Sequence, residues 1–152
     1  MRLPIQVLVY SIRQTCSDWE YLLLHRVGGR EAFWQGVTGA PFEGETLEQA
    51  ARRELLEETQ ITPMWLEPID YGYSFPVSPE WAHLYAPDVD AIREYVFAAQ
   101  VSSVEPVLSH EHDAHQWCSF EQALSLLHWP NNKDALEYCR EFLNRRSLQS
   151  NS

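Results

Sequence analysis

Glu54, Glu57 and Glu58 stand three and four residues apart at the end of an uninterrupted run of helix formers. At about 100° per residue, that spacing gathers the three carboxylates into an arc of about 100° on one helix face. Like charges so close repel, so on a merely solvated helix the arrangement costs stability. A cation at that face reverses the sign, and carboxylate oxygens suit hard divalent ions such as Mg2+ or Mn2+. The helix has a defined start. Thr46 and Gln49 have the spacing of a capping box, which predicts a first helical residue near Leu47. Ala50, Ala51, Leu55 and Leu56 carry it forward with no Gly or Pro among them. An ordinary acidic surface is the plainer alternative, and the three glutamates alone leave it open.

The residues around them narrow the choice. Gly39, then Glu45, then Arg53-Glu54-Leu55, Glu57-Glu58 and Ile61 occupy one turn-and-helix stretch, GAPFEGETLEQAARRELLEETQI. In these positions and intervals the stretch resembles the Nudix box, with one departure. The box has a second glycine where this chain has Gln60, at the point where the helix should end in a left-handed turn. The resemblance implies a mixed α/β fold, a mixed β-sheet sandwiched between α-helices, and hydrolysis of a phosphoanhydride with Mg2+, or Mn2+, as cofactor. By the same resemblance Glu54, Glu57 and Glu58 become metal ligands, with the Thr38 carbonyl a further candidate. Arg53 lies one residue before Glu54 and four before Glu57, so it can pair with Glu57 or reach back to Glu45 and hold the carboxylates in place.

At 152 residues and 45% hydrophobic content, the chain is long enough for one domain with a substantial core. The expected division is a single domain over 1–146 and a loose polar tail, SLQSNS, over 147–152. A net charge of −11 argues against a basic nucleic-acid surface and allows a polyanionic substrate only where a metal and a few local cations bind it. Cys16, Cys118 and Cys139 are odd in number and widely spaced, which reads as reduced thiols in a cytoplasmic protein rather than a disulfide frame or zinc site. No apolar run reaches the ~20 residues of a membrane span, and no signal-peptide pattern opens the chain.

Strands are expected over 5–12, 20–25, 64–75, 92–101 and 115–118, with 33–38 leading into the box loop. Val27-Gly28-Gly29-Arg30 reads as a turn, and 76–87, with three prolines, as an irregular loop. Ser119 and Gln122 form a second capping box opening a helix to about Leu127. Asn131 or Asn132 is expected to cap a last helix ending near Asn144.

The segments FWQGVTG, LYAP, the strand opening Glu94-Tyr95, EHDAHQW and HWPNN resemble the dihydroneopterin triphosphate pyrophosphohydrolase branch of the same family. That branch implies a small-molecule triphosphate substrate cut to release pyrophosphate. Family members place a glutamate at the position of Glu111, as metal ligand or general base, and Glu58 competes for the second role. His110, His112 and His115 beside it lack a zinc-ligand spacing and read as loop histidines. Arg26 and Arg30, just before the box, are candidates to hold a terminal phosphate. Trp34, Trp81, His83 and Tyr85 are candidates to stack on the heterocycle, and Gln35 to bond its edge. Two other readings stay open. One is a Nudix hydrolase of ADP-ribose or dinucleoside polyphosphates; the other is a catalytically silent Nudix-like binding module.

Overall fold

A computed structural model describes residues 1–27 and 32–150, with backbone alone for 148–150. The chain runs β1 (Ile5–Gln14), β2 (Trp19–Arg26), β3 (Phe33–Gln35), β4 (Val37–Gly39), α1 (Leu47–Thr59), β5 (Trp65–Pro76), β6 (Ala91–Gln100), β7 (His112–Cys118), α2 (Phe120–Leu126) and α3 (Pro130–Ser150). One mixed sheet contains all seven strands.

The sheet is built on β1. Val7 through Ile12 are almost wholly buried, because β1 is central and carries apolar or small side chains on both faces. One edge of β1 pairs in parallel with β6, from Ile5 opposite Arg93 to Ile12 opposite Gln100. The other edge is shared. β2 takes Ile12–Gln14 and β4 takes Val7–Val9. β1 and β2 therefore splay apart, and residues 33–39 fill the wedge, β3 against β2 and β4 against β1. β7 lines the far edge of β2, and β5 the far edge of β6.

Alternation along the strands sorts side chains between two cores. Val7, Val9, Leu22, Leu24 and Phe97 pack with Ala50, Ala51 and Leu55 of α1. Leu8, Tyr10, Ile12, Tyr21, Leu23 and Val96 pack with Phe120 and Ala123 of α2 and with Leu136, Cys139 and Leu143 of α3. The sheet is thus covered on both faces, as expected.

Both capping boxes form, with Thr46 accepting from the Gln49 N–H and Ser119 from the Gln122 N–H. Gln60 ends α1 in the left-handed conformation, at φ 60° and ψ 25°, its N–H donating to the Leu56 carbonyl at 2.8 Å. The departure from the box glycine therefore leaves the turn intact and places a side chain where the backbone disfavours one, at a cost of about 1 kcal/mol. Gln60→Gly should stabilise the fold by about 0.5–1 kcal/mol, a rise of roughly 1–4 °C in Tm by calorimetry. An unchanged or lower Tm would show that Gln60 has compensating contacts.

Three expectations are corrected. Pro130, not Asn131 or Asn132, opens the last helix, as suits a residue with no N–H to satisfy. Asn132 is buried instead, bonded to Tyr10 and Tyr73. The helix continues past Asn144 to Ser150 and so takes in the first four residues of the expected loose tail. Residues 79–84 form a 3-10 helix within the loop read as irregular. Gly28, Gly29 and Arg30 lie outside the described residues.

Candidate active site

Glu54, Glu57 and Glu58 lie in the second half of α1, but the fold treats them differently. Glu58 is 2% exposed, and neither of its carboxylate oxygens has a hydrogen-bond partner. Glu57 sits at the rim with its side chain 54% exposed. The carboxylate of Glu54 lies directly over Gly39, where a Cβ would stand 2.0 Å from its carboxyl carbon. Gly39 is required because the helix must bring a side chain against the β4 backbone.

The second wall comes from the turn before β7. Ligand atoms of Glu58, Glu111 and His112 lie within 4.8 Å of one another. His112 Nε2 is 3.6 Å from Glu58 Oε1, beyond a hydrogen bond, and both its ring nitrogens are buried without partners. The Val27 N–H donates to the Glu111 carbonyl at 3.0 Å, tying this turn to the end of β2.

Burial first, then the charges of Glu54 and Glu111, push the Glu58 carboxyl up to about 9, with Arg26 acting the other way. Burial also raises Glu54 despite its bond to Arg53. His112 is pushed down to about 4, by burial and then by Arg26. The Glu58 carboxylate and the neutral His112 imidazole, buried and lacking partners beside Glu54 and Glu111, fit a divalent cation.

Arg53 organises the approach. Its guanidinium grips Glu45 through Nε–Oε2 at 2.8 Å and Nη2–Oε1 at 3.0 Å, and donates to Glu54 at 2.8 Å. It also reaches Glu57 at 3.3 Å and the Ala40 carbonyl at 3.0 Å, and lies 3.8 Å from the centre of the Phe42 ring. Both partners read from the spacing, Glu57 and Glu45, are engaged at once. Glu45 accepts in turn from the Phe42 N–H at 2.9 Å, and the bond from Arg53 lowers its carboxyl pKa. Leu55 and Ile61 are buried and anchor the helix.

The remaining candidates divide. Arg26 ends β2 opposite His112, with a register shift between His25 and Arg26, and its charge acts on Glu58 and His112. Thr38 is buried on β4 beside Gly39, its hydroxyl accepting from Gln35 Nε2 at 3.2 Å. Gln35 is thus tied up inside the fold. Trp34 rests against His25, ring centres 5.0 Å apart, and His25 bonds Asp113 at 2.6 Å. Tyr85 is 5% exposed, a core residue where a stacking surface was expected, while Trp81 and His83 stay exposed on the 3-10 segment. That segment is fastened elsewhere, by Arg2 N–H to the Leu84 carbonyl at 2.7 Å.

His112 is the residue that sequence reasoning missed. It is a buried strand residue facing Glu58, whereas His115 pairs with Glu105 at 2.8 Å. Only the register of β7 on β2 separates them, and no local pattern carries that register.

A carboxylate-bearing helix packed on a mixed sheet, its preceding loop pinned by an arginine, defines a hydrolase of the Nudix type; residues 3–139 match the NUDIX domain, and the chain belongs to that family. Its relatives include the dihydroneopterin triphosphate diphosphatase of Escherichia coli, 30% identical over 138 residues, 88% of this chain and 90% of that protein. The solved structure of the E. coli dihydroneopterin triphosphate pyrophosphohydrolase is similar at TM-score 0.74 and 31% identity, over 90% of this chain and 94% of that one. A Listeria monocytogenes protein assigned to the NUDIX hydrolases is similar at TM-score 0.81 and 30% identity, over 95% and 97% of the two chains.

Proposed function

We propose that the protein is a Mg2+-dependent pyrophosphohydrolase, with Mn2+ able to substitute. It cuts a nucleoside triphosphate-like substrate, foremost dihydroneopterin triphosphate, between the α and β phosphates and releases pyrophosphate. The observation that carries the chemistry is Glu58, a buried carboxylate with neither oxygen bonded, grouped with Glu111 and His112. The substrate rests on the names of the relatives similar over nine-tenths of the chain.

Glu54, Glu57, Glu58 and Glu111 are assigned to hold the ion, with the Thr38 carbonyl beside them and His112, read from the sequence as a loop histidine, as a nitrogen donor. When bound, the ion would offset phosphate charge and make a bound water more acidic. Every other role falls to the chain itself. Arg53 fixes the carboxylates through its fork. Arg26 offers a cation to the substrate phosphates. Glu111, half-buried on its turn and more accessible than Glu58, is assigned to take the proton of the attacking water.

A panel assayed for pyrophosphate release tests this. Activity should vanish in EDTA and return with Mg2+ or Mn2+. Dihydroneopterin triphosphate should exceed ATP in kcat/KM by at least about tenfold, and ADP-ribose should be poor. Hydrolysis in ¹⁸O-water identifies the phosphorus attacked. Full activity in chelator would remove the metal role, and a preference for ADP-ribose, or orthophosphate as sole product, would remove the substrate.

A further inference from the structure

Glu94 is as deeply buried as Glu58, at 2% exposed, and lies on the opposite face of the sheet. It precedes Val96 and Ala98 by two and four residues on β6, so it shares their side, the one covered by α2 and α3. One oxygen accepts from Gln6 Nε2 and the other from the Tyr73 hydroxyl. The Tyr73 oxygen accepts from Asn132 Nδ2 at 2.9 Å, and the Asn132 carbonyl from the Tyr10 hydroxyl at 2.7 Å. Strands β1, β5 and β6 and helix α3 thus converge on one carboxylate. Among the described residues no basic side chain pairs with it.

A desolvated carboxylate among neutral donors is a costly way to fill a core. It also has about four acceptor sites, of which the two protein donors use two. Its partner Tyr73 adjoins further aromatic rings. Tyr71 stacks on Tyr138 with ring centres 4.4 Å apart and planes 15° apart, and Tyr73 stands 5.6 Å from Tyr71. Tyr138 is 41% exposed and Trp129, edge-on to Phe33, 44%. The strand register links this place to the hydrolytic centre. Glu94 is opposite Gln6, whose neighbour Val7 is opposite Gly39, under the carboxylate of Glu54. Two strand spacings, about 10 Å in the plane of the sheet, separate the two backbones, with the side chains on opposite faces.

We propose that Glu94 is the specificity-determining residue, its carboxylate accepting two parallel N–H groups from the 2-amino-4-oxopyrimidine edge of a pterin or guanine ring. That edge presents a fork of donors, the pattern a carboxylate accepts best. Adenine presents a donor beside an acceptor and would leave a carboxylate oxygen facing a lone pair. The inference deepens the triphosphate reading above and rests on it for the location of the phosphates.

The discriminating pair is GTP and ITP, which differ only by the 2-amino group. They are compared on the intact protein by kcat/KM and by titration calorimetry. The wild type should favour GTP at least about tenfold, chiefly through KM, and in Glu94→Gln the ratio should fall toward one while circular dichroism stays native. A wild-type ratio near one overturns the proposal without recourse to any variant, and so does a folded Glu94→Gln protein that keeps the wild-type ratio. Failure to hydrolyse dihydroneopterin triphosphate, together with a GTP preference erased by Glu94→Gln, overturns the substrate named above and supports Glu94 as the reader of the ring.

Discussion

Glu58→Gln should lower kcat by about 10²–10³-fold, the scale of removing a charge that stabilises a transition state, and in chelator should melt higher than the wild type. The two effects share one cause. The buried Glu58 oxygens have no partner, so in the metal-free protein ionising them is penalised, and glutamine keeps the shape without the charge. The sign of the pH dependence follows. The folded-state carboxyl is raised from an ordinary 4.5 to about 9, so the native state holds the proton more tightly than the unfolded chain. Its stabilising contribution is full below about 4.5 and is lost as pH rises through 9. His112 acts on the acid side. Held neutral in the fold and pushed from 6.5 down to about 4, it contributes above 6.5 and that contribution is lost as pH falls through 4. Thermal melts across pH in EDTA should show the alkaline loss in the wild type and a flatter profile in Glu58→Gln. Near-wild-type turnover in the variant would reduce the cluster to a buried structural pair.

Arg53→Lys should cost about 10–100-fold in activity although the charge is retained. The guanidinium grips both oxygens of Glu45 while bonding Glu54, Glu57 and the Ala40 carbonyl, and a lysine ammonium cannot span those directions. Arg53→Ala adds a stability loss of about 2–3 kcal/mol by orphaning Glu45 and Glu54, read as a fall of roughly 5–10 °C in Tm. If lysine restored full activity, the fork geometry would be irrelevant to the chemistry.

The part of the site that could be read in the sequence is the part that is local in the chain. Glu54, Glu57, Glu58, Arg53 and Glu45 are set by helical periodicity and one preceding turn, so spacing alone placed them together. Thr46–Gln49 and Ser119–Gln122 were legible for the same reason, since a cap is satisfied within three residues. What was not legible depends on distant strands meeting. The Gln6–Glu94 pair is separated by 88 positions, and His112 acquires its meaning only when β7 aligns with β2. Tyr85 failed in the other direction. An aromatic in a proline-rich loop reads as available surface, and only the packing reveals it as core. Asn132 has the composition of a cap and the environment of a core hydrogen bonder, a difference set by Tyr10 and Tyr73.

Alternation along β1 has a consequence for how such a chain can diversify. Odd-numbered Val7 and Val9 support the helix that carries the glutamates, while even-numbered Gln6, Leu8 and Tyr10 face α2 and α3. A strand's two sides are exchanged only by a register slip, which on β1 would set the side chains of each core into the packing of the other. Replacements on the even side can therefore remodel what lies beneath α3 while the odd side keeps its grip on α1. Descendants of one ancestor can drift in what they accept and inherit how they cut, because the backbone that joins the two surfaces also insulates them.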